Sequence, residues 1–577
     1  MKYKCNYRIT DNYLENLLKE RGINNYKDFL NPTEKNLLDF NGLDNILEAT
    51  DLLINKLREE KNILFIIDCD EDGFTSSAML YNYILEQFPK ANLDYKIHSG
   101  KQHGLEDMIE EIENSQQKID LVLIPDASSN DYEYHKRLKD VGIPVIVLDH
   151  HEAEKYSEDA IIVNNQLSES YSNKDLSGAG VVFKFLKALD YKLGVNKADN
   201  FIDLAAVGII GDMMNINNLE NRYIISQGLS NIKNPGLIEL INKQSFSIKD
   251  KDNLTPTDVS FYITPLVNAI IRVGKPAEKE LLFKAFINGN EMIPKISRNK
   301  VVEGQFESVA EQNARNCSNA RARQNRMLDK AIEKITFDIL KNGLNENAII
   351  ISEIEDDSID TTLTGLLAMK IVSKFHKPVL LGRKDDYGYL KGSLRGVNNG
   401  GLSDLRQFLI DSNLFEYAEG HANAAGYSLL YKNIDKFISY ANKQLKDINF
   451  DEGIYSADFC IDSTNLDKLN NMIFDLCQDN TIFGKGCEEP LIVVEDIMIS
   501  PKDFSICGGN KNTIRITKND ITFIMFKADK LIEDLSKNEN SSLTIIGTPN
   551  INSWMGKESP QILIKDYNIS ENSIFDF

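Results

Sequence analysis

The chain lacks the marks of a secreted or membrane protein. No apolar stretch approaches the roughly 20 residues a membrane helix needs, and Met1-Lys2-Tyr3-Lys4-Cys5 is followed by no signal-like apolar run. A cytoplasmic location without membrane contact is the expectation. Cysteine is sparse: the seven in 577 residues (Cys5, Cys69, Cys317, Cys460, Cys477, Cys487 and Cys507) are scattered, odd in number and never spaced C-x-x-C. Neither a disulfide framework nor a zinc knuckle is supported. Positive charge is also in deficit. A net charge of −22 argues against a polycation that coats nucleic acid unselectively, yet leaves room for an enzyme with a local basic groove. Internal repeats and low-complexity linkers are absent, and the single tryptophan, Trp554, reads as packing.

What the chain does have is three clusters of acid and histidine, each directly after a short apolar run. Ile63-Leu64-Phe65-Ile66-Ile67 precedes Asp68-Cys69-Asp70-Glu71-Asp72-Gly73, Leu121-Val122-Leu123-Ile124 precedes Asp126, and Val145-Ile146-Val147-Leu148 precedes Asp149-His150-His151. Such runs, separated by helical stretches, read as buried strands of a parallel sheet. The clusters then lie at the carboxyl ends of the strands, where open α/β sheets place their ligand sites. Asp212 joins them from the end of an apolar helix over residues 203–214.

Converging carboxylates repel one another unless cations lie between them. If the 68–72 segment stays extended, Asp70 and Asp72 share a side and Cys69 is a buried spacer, with Gly73 allowing a sharp turn into a helix near Thr75. Carboxylate oxygens with imidazole suit Mn²⁺ or Mg²⁺. Two ions about 4 Å apart, bridged by Asp126, would fit phosphoester hydrolysis. An isolated Asp is more often a helix cap or turn residue. A calcium loop is disfavoured because residues 74–79 contain no acid.

The length of 577 residues points to three or four domains. We read an N-terminal cap over 1–45, an α/β catalytic domain over 46–300, a long connector helix over 301–335, a second α/β domain over 336–448 and a small β-barrel over 449–577. Strand-like pieces of the second domain are Ala348-Ile349-Ile350-Ile351, Pro378-Val379-Leu380-Leu381 and Gly392-Ser393-Leu394-Arg395. The barrel strands are expected at residues 491–494, 521–524, 543–546 and 561–564. The connector carries Arg315, Arg321, Arg323, Arg326 and Lys330, a local basic excess suited either to lining a strand channel or to a solvated helix face.

Taken together these motifs resemble the DHH phosphoesterase superfamily and, within it, the RecJ family of single-stranded-DNA-specific 5′→3′ exonucleases. The resemblance covers nearly the whole chain. It is carried by residues 68–76, Asp149-His150-His151, Leu176-Ser177-Gly178-Ala179-Gly180, Gly211-Asp212 with Glu220-Asn221-Arg222, and Pro265-Leu266-Val267-Asn268-Ala269 with Arg272. Gly392-Ser393-Leu394-Arg395, Gly420-His421-Ala422-Asn423-Ala424-Ala425-Gly426 and an ending with Asn552-Ser553-Trp554-Met555-Gly556 extend it.

The resemblance implies a fold of α/β class with a parallel-sheet DHH domain, a long helix, a DHHA1 domain that binds nucleic acid and closes over the active site, and a terminal OB-fold. It implies Asp70, Asp72, Asp126, His150 and Asp212 as ligands of Mn²⁺ or Mg²⁺, with Asp68 and Asp149 in support and His151 on the scissile phosphate. Arg272, Ser393 and Arg395 would bind a 5′-terminal phosphate, while His421, Gly420 and Asn268 would complete the substrate contacts. The implied role is release of 5′-mononucleotides from single-stranded DNA, with RNA as an alternative substrate, in DNA repair and recombination beside a helicase and a single-strand-binding protein. Two departures stand out. The segment Lys96-Ile97-His98-Ser99-Gly100-Lys101-Gln102-His103-Gly104 lacks the family's arginine, for which Lys101 is the expected stand-in, and Glu419 precedes Gly420-His421 where a glycine is usual. The competing readings are a phosphodiesterase of short oligonucleotides or cyclic dinucleotides and an inactive DHH scaffold of a replication complex.

Overall fold

The apolar runs before the acid clusters are the central strands of one sheet. In the computed structural model, Asn62–Ile67, Leu121–Pro125 and Val145–Asp149 lie side by side and parallel, with Asn92–Ile97 and Ile161–Asn164 as the edges. Residues 8–10, 99, 101–102, 249, 298–299, 357–358, 451, 538–539, 555–556 and 572–577 lie outside the described structure; Lys101, Met555 and Gly556 are among them. The chain divides into two compact units, one of residues 27–325 with 481–488, the other of residues 1–26, 326–480 and 489–577.

In the first unit, Leu64, Ile66, Val122, Ile124, Val145, Val147 and Ile162 pack on one side of the parallel sheet against Leu105, Ile109, Ile112 and Leu138. Alternate residues face the other layer, where the rings of Phe65 and Tyr81 lie 5.5 Å apart. Strands covered on both faces must be apolar throughout, so they show as unbroken runs. The strand order 92–97, 62–67, 121–125, 145–149, 161–164 reverses between the strands ending at Ile67 and Pro125. Ligands in open α/β sheets bind at this reversal, and the loops carrying Asp68 and Asp126 begin there.

The helix after the first cluster begins at Glu71 rather than near Thr75, because the Asp70 side chain accepts a hydrogen bond from Gly73 N and caps it. The extended reading therefore holds only up to Asp70, and Asp72 sits in the first helical turn. Gly73 serves close packing instead of a turn: a Cβ there would lie 2.6 Å from that of Asp68. Cys69 is buried as expected.

A fully buried ion pair ties helices Gly178–Leu193 and Leu219–Leu229 together. Lys184 Nζ lies 2.9 Å from Glu220 Oε1, and Glu220 also accepts from Tyr171 OH, Asn173 Nδ2 and Leu38 N. Two residues on, buried Arg222 donates to Phe29 O and Thr481 O and stacks on the Phe29 ring. Thr481 opens the short stretch that returns from the far end of the sequence. Ile216 N donates to Lys485 O, and Asn217 Nδ2 to Gly486 O.

The second unit holds two sheets. One has the order Phe415–His421, Ala424–Leu430, Tyr389–Arg395, Val379–Lys384, Ile350–Glu353, with the last two parallel and the other pairings antiparallel. The other is an eight-stranded sheet running from Lys2–Tyr7 to Phe504–Cys507, and all four expected C-terminal strands belong to it. Its first strand pairs in parallel with Ile454–Asp462. There Cys5 and Cys460, 455 residues apart in sequence, form a disulfide with Cα atoms 6.0 Å apart. Cysteine spacing carried no sign of this bond.

The long helix runs over Val309–Lys341 and not 301–335, because residues Lys300–Ser308 instead pair as a strand with Met292–Ser297. Its basic face is partly neutralised. Arg315 pairs with Glu307 at 2.5 Å and Arg323 with Glu278 at 2.8 Å. Among the described residues no helix is long and apolar enough to cross a membrane.

Candidate metal centre

The three strand ends and the end of helix Ile202–Gly211 bring eight of the expected residues together. Ligand atoms of Asp126, Asp149, His150 and His151 lie within 4.8 Å of one another, as do those of Asp72, His150 and Asp212, and those of Asp68, Asp70 and Asp126. Asp126 and His150 each belong to two of these groups. His150 Nε2 stands 3.3 Å from Asp126 Oδ1 and 3.5 Å from Asp212 Oδ2.

Small residues let backbone press on the carboxylates. Ser177 caps helix Gly178–Leu193 and donates to Asp72 Oδ1 at 2.9 Å, and Ala179 N donates to the same oxygen at 3.1 Å. A Cβ on Gly178 would lie 2.3 Å from Asp126 Oδ1, and one on Gly208 2.3 Å from Asp72 Oδ1. Asp126 itself adopts a left-handed backbone, φ 71°, at a conformational cost typical of functional positions.

Burial without compensation marks the site. Asp72 Oδ2, both oxygens of Asp126 and Asp212 Oδ2 are buried and have no hydrogen-bond partner. Burial, then the neighbouring carboxylates, pushes Asp126 well above the usual carboxylate range, Asp72 to about 7 and Asp212 to about 8. Burial likewise raises Glu71, fully enclosed beside Gly211, to about 8. His150 is pushed down to about 4 by burial and by the charge of His151, leaving a neutral imidazole able to ligate. Orphaned carboxylate oxygens and a neutral histidine are the donor set that a hard divalent cation fits.

Asp149 has a different environment. It accepts from Ser129 N, His150 N, His151 N and His151 Nδ1, the last at 2.8 Å. Burial opposes ionisation, but these bonds and the histidine charges win and hold its carboxyl far below the ordinary range. In return, against the effect of burial, Asp149 raises His151 to about 9. Asn164 holds the arrangement from behind, donating to Ser129 Oγ and His151 O. Sequence reasoning missed Ser129, Asn164 and also His103, whose Nδ1 lies 2.7 Å from Asp68 Oδ2.

Asn268 and Arg272 lie one turn apart on helix Thr264–Val273 of the same unit, both partly buried. In the second unit, Ser393 and Arg395 end strand Tyr389–Arg395 against the first turn of helix Thr364–Phe375. A Cβ on Gly365 would lie 2.5 Å from Arg395 NH2 and 3.6 Å from Ser393 Oγ. Arg395 Nε is buried without a partner, and no acid pairs with this guanidinium among the described residues. Gly420, with φ 125°, and exposed His421 close strand Phe415–His421, and Glu419 beside them is exposed.

A parallel sheet with acids and histidines gathered at its carboxyl edge is the arrangement of a DHH phosphoesterase, and the DHH family N-terminal domain matches residues 62–209 while the RecJ OB domain matches residues 462–566. The chain belongs to the RecJ family. It is 39% identical over 562 residues, 96% of each chain, to the SPbeta prophage-derived protein YorK of Bacillus subtilis (strain 168), provisionally named a single-strand DNA-specific exonuclease. It is 26% identical to the single-stranded-DNA-specific exonuclease RecJ of the same organism, covering 97% of this chain and 68% of that one. Its fold is similar to that of RecJ from Thermus thermophilus in complex with Mn²⁺, with a TM-score of 0.73, 20% identity and coverage of 99% of this chain and 80% of that one.

Proposed function

We propose that the protein is a metal-dependent exonuclease that degrades single-stranded DNA from the 5′ end and releases 5′-mononucleotides. The observation that carries this reading is the set of buried, unpartnered oxygens of Asp72, Asp126 and Asp212 around His150, in a chain 39% identical to a protein named as a single-strand-specific exonuclease. Asp70, Asp72, Asp126, His150 and Asp212 would hold Mn²⁺ or Mg²⁺, with two ions as the expected complement. Ions there would supply Lewis-acid stabilisation of charge on the phosphate oxygens.

The remaining steps fall to the chain itself. Asp149 fixes the His151 ring through Nδ1, leaving Nε2 to donate to a non-bridging oxygen of the scissile phosphate. A charged imidazole at about 9 keeps that donor present at neutral pH. Asp68 supports the loop beneath. Ser393 and Arg395, set at a helix N-terminus, suit a terminal phosphate, which would select the 5′ end; Arg272, Asn268, Gly420 and His421 complete the substrate contacts. The wider role proposed with it is DNA repair and recombination, beside a helicase and a single-strand-binding protein.

The test is digestion of end-labelled oligodeoxynucleotides in Mn²⁺. Strands carrying a 5′-phosphate should shorten from that end, and Asp126→Ala should abolish the reaction. Shortening only from the 3′ end, or full activity in that variant, would overturn the reading.

A further inference from the structure

The catalytic unit contains a second buried-aspartate, half-exposed-histidine pair besides Asp149 and His151. Asp68, wholly buried at the end of strand Asn62–Ile67, has its oxygens 3.0 and 2.7 Å from Nδ1 of His103, whose side chain is 48% exposed. The Asp149–His151 pair has the same form, with a side chain 1% exposed holding one 51% exposed. The two pairs stand at strands that flank the one leading to Asp126.

We propose that His103 is a second phosphate-binding imidazole of the site, donating from Nε2 to a non-bridging oxygen of the substrate or product phosphate. Three observations carry this. Among the described residues His103 is the one hydrogen-bond donor to Asp68, so a carboxylate enclosed at the centre is spent on fixing one loop histidine. His103 Nε2 has no partner among those residues, and the ring belongs to none of the groups of clustered ligand atoms, unlike His151, so it is left to meet an anion rather than share a cation. The ring is also held on Asp68, whose carboxylate has an oxygen within 4.8 Å of ligand atoms of Asp70 and Asp126, which sets it beside the same centre. The Asp68 hydrogen bond favours the charged ring against the effect of burial, as an anion-binding donor requires. Gly104, with φ 69°, turns the chain directly after it, where a Cβ would lie 2.3 Å from Asp131 Oδ2.

This inference rests on the phosphoesterase reading, and its test separates the two. Full-length wild type, His103→Gln, His103→Lys, Asp68→Asn and the Asp68→Asn/His103→Gln double variant are compared for binding of inorganic phosphate in the presence of Mn²⁺, for Mn²⁺ affinity by calorimetry, and for turnover of a 5′-phosphorylated oligodeoxynucleotide. His103→Gln should weaken phosphate binding about tenfold and lower kcat about 100-fold, the scale of losing one oriented donor, with Mn²⁺ affinity and thermal midpoint unchanged. His103→Lys should regain part of both losses, and the double variant should be no worse than His103→Gln. Unchanged phosphate binding in His103→Gln, or loss of Mn²⁺ binding in it, overturns the proposal. If wild type fails to cut the oligonucleotide, the functional reading falls while the phosphate measurement still decides the role of His103.

Discussion

Gly178 sits so close to Asp126 that a single added methyl group would come within 2.3 Å of its carboxylate. The helix that Ser177 caps is thereby pressed on the acid shared by two of the ligand groups. Gly178→Ala should cost about 1–3 kcal/mol as overpacking and displace Asp126. Calorimetry with Mn²⁺ should show at least tenfold weaker binding, with nuclease turnover falling in parallel. Unaltered Mn²⁺ affinity would refute the contact as described.

The metal-free protein should lose stability as pH rises. Asp72 at about 7 and Asp212 at about 8 bind protons in the folded state that the unfolded chain releases near pH 4. The folded state therefore holds more protons between about pH 4 and 8, and stability falls across that window. Saturating Mn²⁺ should flatten the slope, release protons on binding near pH 7, and raise the melting temperature. Thermal scans at pH 5 and pH 8, with EDTA and with Mn²⁺, check the sign.

Lys184→Met leaves Glu220 enclosed without its cation, since the two side chains are 2% and 0% exposed. Removing one partner of a buried pair costs about 3–5 kcal/mol. Thermal denaturation should show a drop of several degrees in this variant, and Lys184→Met with Glu220→Gln should recover part of it.

Arg395→Ala should alter end preference more than chemistry. Its guanidinium, packed over Gly365 with no acid beside it among the described residues, is expected to contribute through the terminal phosphate. The ratio of kcat/KM for 5′-phosphorylated over 5′-hydroxyl strands should fall at least tenfold. An unchanged ratio would remove Arg395 from that role.

The sequence made the centre of the catalytic sheet legible because strands buried on both faces are written as unbroken apolar runs, and the acids follow where those runs stop. It hid the edges. Asn92–Ile97 alternates polar with apolar residues and is partly exposed, and Ile161–Asn164 is only four residues long. It also hid whatever depends on backbone geometry or distant pairing: the left-handed Asp126, the early helix start imposed by the Asp70 cap, and the Cys5–Cys460 bond. Arg315 and Arg323 illustrate a further limit. Their charges look free in the sequence, whereas Glu307 and Glu278 partly consume them in the fold.

Residues 481–488, hydrogen-bonded to Ile216, Asn217 and Arg222, give this protein a particular order of manufacture. Domains generally fold as they leave the ribosome, amino-terminal parts first. Here the stretch just beyond Asp212 awaits partners translated more than 250 residues later, so the neighbourhood of the metal centre acquires its last supports only once most of the chain exists. A chain ended between residues 212 and 481 carries every proposed ligand yet lacks those hydrogen bonds.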